Sequence, residues 1–220
     1  MKKIFYTLLL LLICGFQANS AEPVNNEDTY QIMSVDRLPE ANANYVKNMS
    51  HNRNYSEIRI KTALNPQPQI LVICGTDPRV SPEVIFDAAP GEFCIIRTTG
   101  NIINDRIKEE INFDVINYNI NNILVLGCKY DDFIKAYVSG STSGPLAGEL
   151  NPALGKYVSA KAKEEEKLAK TAEAARENLI IQSNKLLESG SVSSQIQRGQ
   201  IQFMKMLYDP KTGVAEVVNE

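Results

Sequence analysis

The sequence predicts an α/β fold: a mostly parallel central sheet flanked by helices, with a C-terminal hairpin. Three observations carry this. Short apolar runs at residues 69–74, 93–97 and 123–127 read as strands buried on both faces. Stretches with helical spacing separate them, and alternating strands and helices favour a parallel sheet whose sites lie at the carboxyl ends of the strands. Near the end, Tyr208-Asp209-Pro210-Lys211-Thr212-Gly213 reads as a turn between two short β runs. With 220 residues, 44% hydrophobic and 22% charged, the chain suits one globular domain and not a disordered, fibrous or polytopic membrane protein.

Each element has its own justification. Residues 21–57 are polar and rich in Asn, with scattered apolar positions such as Ile32, Met33, Leu38 and Tyr45, so they are expected to form an N-terminal arm that packs on something else. The domain proper is expected over 58–220. Gln69-Ile70-Leu71-Val72-Ile73-Cys74 ends at Gly75 as a first strand, residues 82–88 follow as a helix, and Phe93-Cys94-Ile95-Ile96-Arg97 is the second strand. Residues 107–119 carry near-helical spacing, residues 123–127 form the third strand, and 131–138 a further helix. Ser139-Gly140-Ser141-Thr142-Ser143-Gly144-Pro145 lacks the glycine spacing and lysine of a phosphate cradle and reads as a linker. The stretch 156–189 has the highest helix propensity, with Lys161 to Lys170 on a solvated face. Strands are expected at 200–206 and 214–218.

The first twenty residues have the organisation of a secretory signal peptide: Lys2 and Lys3, an apolar run to Phe16, then small residues Ala18 and Ser20 before a cleavage position. About thirteen apolar residues fall short of the roughly 20 that span a bilayer. A periplasmic or secreted protein is expected, without membrane attachment once the signal is removed. Loss of the two lysines would take the net charge from −3 to −5. The chain shows no basic face, so no nucleic-acid partner is expected. After processing, Cys74, Cys94 and Cys128 remain, in a compartment where disulfides persist; one pair plus a thiol, three thiols and a metal site are all open from spacing. The single histidine, His51, lies in the polar arm and reads as a surface residue.

Ile70 to Glu83, with its strand, cysteine and Asp77-Pro78-Arg79-Val80-Ser81-Pro82-Glu83, resembles the first motif of the β-class carbonic anhydrases. Gly91 to Asn101 is similar to that family's second strand and Arg-x-x-Gly-Asn turn. Ile123 to Asp131 stands where the family has Gly-His-x-x-Cys, and Leu207 to Gly213 resembles its terminal hairpin. The resemblance implies CO2 hydration by a zinc ion held by Cys, His and Cys, the metal lowering the pKa of its water to about 7. In this chain the first ligand position is Gly75, the histidine position is Cys128 and the second cysteine position is Asp131. Asp77 and Arg79, which match the pair beside the metal, are present.

Three readings follow. The reading adopted is a binding or structural relative with a degenerate zinc site and no bound cofactor, in which Asp77 and Arg79 hold a small anion such as bicarbonate or simply pin their loop. The alternative is an active carbonic anhydrase with Asp77 and Arg79 catalytic and a rearranged zinc site of Cys74, Cys128 and Asp131. A third is a redox role for Cys74 and Cys128. Because each of these two cysteines ends a strand, and the resembled fold makes those strands neighbours about 4.8 Å apart, a Cys74–Cys128 disulfide is expected. The resemblance also implies a homodimer or higher oligomer.

Overall fold

The computed structural model describes residues 34–219 apart from 52 and 189. The expected signal peptide and the first part of the arm lie outside them. The described chain runs α1 (Leu38–Val46), α2 (Tyr55–Thr62), β1 (Ile70–Cys74), α3 (Pro82–Ile85), β2 (Phe93–Arg97), α4 (Asp105–Asn117), β3 (Asn122–Cys128), α5 (Asp132–Val138), α6 (Pro145–Leu154), α7 (Glu164–Glu188), α8 (Ser191–Gln197), β4 (Gln202–Tyr208) and β5 (Ala215–Val217).

The sheet order is β2-β1-β3-β4-β5, with β1, β2, β3 and β4 mutually parallel and β5 antiparallel to β4. Every residue of β1 and β3 is buried, as continuous apolar runs require when helices cover both faces. Alternation divides the core. Leu71, Ile73, Ile123 and Val125 face Ile111 and Val115 of α4 and Leu179 and Leu186 of α7. Ile70, Val72, Cys74, Leu124, Leu126 and Cys128 face the other way, with Leu38 of α1, Ile85 and Phe86.

The arm packs against its own domain. Asn42 of α1 donates from Nδ2 to the Gly213 carbonyl (2.8 Å) and the Ile85 carbonyl (3.4 Å), and its Oδ1 accepts from the Ala215 N–H (2.7 Å). One buried amide thus joins α1 to the terminal hairpin and to α3.

Three expectations are corrected. The linker ends where Pro145 starts α6, a helix not expected from the sequence, whose Pro145, Gly148 and Pro152 disfavour helix locally; Pro at a first turn is compatible with helix, and burial of Ala147, Leu150 and Leu154 outweighs the interior proline. The long helix starts at Glu164, not 156: a short 3-10 turn at Gly155–Tyr157 comes first, and three glutamates fill the helix's opening turn, where the dipole favours them. The fourth strand lies two residues later than expected, because Gly199 at φ 70° and the Gln200 N–H bonding back to Gln195 O complete the end of α8.

Candidate functional site

The carboxyl ends of β1, β2 and β3 converge, as they do at ligand sites of open α/β sheets. After β1 the chain enters Gly75-Thr76-Asp77-Pro78-Arg79. The Asp77 side chain is fully buried and takes a two-pronged hydrogen bond from Arg79, Nε to Oδ1 at 2.9 Å and Nη2 to Oδ2 at 2.6 Å. The backbone N–H groups of Arg79 (2.9 Å) and Asp132 (3.3 Å) also donate to it. Burial works to raise the Asp77 pKa, but the Arg79 side chain and these N–H donors outweigh it and hold the carboxyl below its ordinary value. Arg79 reaches on to the Tyr130 carbonyl (2.7 Å) and to Asp132 (3.2 Å), so the pair ties the loop after β1 to the loop after β3.

Asp131 caps α5: its Oδ1 accepts from the N–H groups of Phe133 and Ile134, both at 3.0 Å. Its Oδ2 lies against Gly75, where a Cβ would sit only 2.9 Å away. Burial raises the Asp131 pKa, and the neighbouring Asp77 and Asp132 add to the rise against the two helix N–H donors. From β2 comes the turn Thr98-Thr99-Gly100-Asn101. Gly100 has φ 65°, and a Cβ there would meet the Phe133 ring at 2.7 Å, so glycine is required. Asn101 donates through Nδ2 to the Leu126 carbonyl (2.9 Å), while its Oδ1 is buried without a partner. Asn178 of α7 supports this turn, donating to the Gly100 carbonyl at 2.7 Å. Together these groups enclose a cavity of about 10 Å³, lined by Gly75, Asn101, Gly127, Cys128, Asp131 and Asn178 among others.

The structure therefore brings Gly75, Cys128 and Asp131 to one cavity, with the Asp77–Arg79 pair anchoring the loops behind it. Sequence reasoning overlooked Asn101 and Asn178 as site residues. The Gly-Asn pair at a strand end was a signal for the first; nothing local marked the second, which sits in a helix.

A sequence model described as "Carbonic anhydrase" matches residues 70–215. The chain belongs to the β-carbonic anhydrase family. "Carbonic anhydrase 2" of Mycobacterium tuberculosis is 26% identical over 122 residues, which are 55% of this chain and 59% of that protein, so the chain spans less than two thirds of the curated relative it matches. The Coccomyxa β-carbonic anhydrase in complex with acetazolamide superimposes with TM-score 0.63 at 23% identity, covering 84% of this chain and 87% of that one. One of two tetrameric β-carbonic anhydrases from Sordaria macrospora does so with TM-score 0.59 at 16% identity, covering 76% and 93%. Both structural likenesses show the fold, an α/β protein with a mostly parallel five-stranded sheet.

The donor set at the family's metal position does not fit zinc. A zinc ion takes deprotonated side-chain ligands from the protein. Gly75 supplies none, and the Asp131 carboxylate is committed on one oxygen to α5, which leaves Cys128 as the one position with an uncommitted side-chain donor. Cys74 does not complete a substitute set. It is buried with Val72, Leu124 and Leu126, two register positions before Cys128, and does not line the cavity. Among the described residues no three His, Cys, Asp or Glu side chains group to hold a metal.

The strand register works against the expected Cys74–Cys128 disulfide. Cys74 lies opposite Leu126, so Cys128 is two residues further along. Two residues of rise combined with the strand spacing put the Cα atoms about 8 Å apart, beyond the approximately 6.8 Å a disulfide tolerates. Cys74, Cys94 and Cys128 are all free thiols.

His51 is exposed, as the sequence predicts, and is also engaged. Its ring nitrogen Nδ1 contacts Asp87 Oδ2, its N–H donates to the same oxygen at 3.0 Å, and Arg53 holds Asp87 Oδ1 at 2.6 Å. Two residues of the segment between α1 and α2 are thus clasped to the buried carboxylate that follows α3.

Proposed function

We propose that this β-carbonic anhydrase relative is a binding or structural protein and not a zinc-dependent CO2 hydratase. The observation that carries the reading is the juxtaposition of Gly75 and Asp131. Where the family's first ligand would project, there is no side chain, and the carboxylate at the third ligand position closes to 2.9 Å of the missing Cβ. The two replacements suit each other, since a cysteine at 75 and the aspartate in its present place would collide. What the fold keeps, the Asp77–Arg79 pair, is engaged within the protein, where it joins two loops.

The proposal includes export of the protein by its first twenty residues and its assembly as a dimer or higher oligomer. Oligomerisation is supported by the tetrameric Sordaria relatives and by α2, none of whose residues is buried.

The test is metal analysis of the purified protein together with a CO2 hydration assay. The expected result is less than stoichiometric zinc and no rate above background. In the triple variant Gly75→Cys, Cys128→His, Asp131→Cys, zinc at one ion per chain is expected. Stoichiometric zinc with hydration by the natural chain would overturn the proposal.

A further inference from the structure

The cavity at the ends of β1 and β3 presents oxygen acceptors. Asn101 is 4% exposed; its Nδ2 is used by the Leu126 carbonyl, which leaves Oδ1 buried, unpartnered and 3.9 Å from the position of the missing Gly75 Cβ. Asp131 Oδ2 lies 2.9 Å from that same position. The lining donor Asn178 Nδ2 is already bonded to the Gly100 carbonyl, and Arg79 is turned to Asp77, Tyr130 and Asp132. A buried acceptor without a donor is rare in native proteins and calls for one. The volume, about 10 Å³, sits at the threshold for one water-sized occupant.

We propose that this cavity binds a single hydrogen-bond donor no larger than water, a water molecule or an ammonium ion, which bridges Asp131 Oδ2 and Asn101 Oδ1 where relatives hold a metal. The inference rests on the reading that zinc does not occupy this position. It goes further in assigning the polarity of the site: two converging acceptors repel an anion, so bicarbonate is excluded from this cavity, and the small-anion expectation for the Asp77–Arg79 neighbourhood does not extend to it. The occupant would join the turn after β2 to the start of α5, beside the loop after β1.

The experiment pairs a high-resolution crystal structure of the purified full chain with its thermal unfolding at constant ionic strength in ammonium, sodium or tetramethylammonium chloride. Gly75→Ala, which places a methyl group 2.9 Å from Asp131 Oδ2, and Asp131→Asn, which keeps a capping oxygen but removes the charge, serve as variants. The expected result is one density peak within hydrogen-bond distance of both oxygens in the natural protein. A ligand that binds only the folded state raises the Tm with its concentration. A rise with ammonium alone, lost in Asp131→Asn, identifies ammonium; the same peak with a Tm indifferent to the three salts identifies water. Loss of the peak in Gly75→Ala supports either, and if that variant fails to fold, the natural protein and Asp131→Asn still decide. Absence of a peak overturns this inference alone. Zinc at the position overturns it together with the proposed function.

Discussion

At the scale of single residues, chemistry at the ends of β1 and β3 is decided by which atoms are missing. Gly75 and Asp131 were legible as departures from a metal-binding pattern, yet their meeting was not, because nothing in the sequence states that positions 56 residues apart share one cavity. Asp77 and Arg79 were legible as a pair, and their geometry shows where the charge goes. The folded pKa of Asp77 is depressed, so its contribution to stability is fully present above the unfolded carboxylate value of about 3.9 and is lost as pH falls through that value toward the folded one. Asp77→Asn is therefore expected to destabilise the protein by about 1–2 kcal/mol at neutral pH, less than for breaking a fully buried pair because solvent screens the Arg79 end. In urea titrations between pH 7 and pH 3, the difference between variant and natural protein should shrink on acidification. A difference that does not change with pH would show that the carboxylate charge contributes nothing.

At the scale of elements, the strands were readable because continuous apolar runs can be buried only between two helical layers, and β1, β2 and β3 lie within a residue of expectation. The helix α6 was not, since local breakers hide a segment whose helicity is decided by tertiary burial. Register was equally invisible: alternation fixes which face a cysteine occupies but not which residue lies opposite. The observed register predicts that Cys74, Cys94 and Cys128 are all free thiols in the unfolded, unreduced protein, read by alkylation and mass spectrometry of the peptides that carry them; a bridged Cys74–Cys128 peptide would mean that a bond forms despite the register. Asn42 gives a second prediction. Replacing it with Ala removes its three hydrogen bonds and leaves the Ala215 N–H and two carbonyls to find other partners, a loss expected to cost about 2–3 kcal/mol. Hydrogen exchange should then quicken at Ala215 before it does in β1 or β3. Equal acceleration throughout the sheet would mean that Asn42 supports global stability and not the hairpin in particular.

At the scale of the whole molecule, the apolar surface left over is the strongest argument about assembly. In α2 no residue is buried, Ile60 is 71% exposed, and Leu64 just beyond it is 98% exposed. On α4, Phe113 and Ile116 are 62% and 67% exposed. An eight-residue helix is marginal in water by itself, since most helical stability in proteins comes from packing an apolar face. The His51 and Arg53 contacts to Asp87 tether the chain leading into α2, but a tether at one end supplies no surface for Tyr55, Ile60 or Leu64 to pack on. A second copy of the chain would supply it. Sedimentation at micromolar concentration is expected to give a dimer or larger species. The double variant Ile60→Lys, Leu64→Lys should shift that population toward monomer, because charged side chains are depleted at interface cores. Its far-ultraviolet circular dichroism at concentrations where both proteins are monomeric should match the natural chain, since neither side chain is buried in the protomer. A natural protein that sediments as a monomer, or a double variant that stays fully assembled, would place the contact elsewhere or remove it.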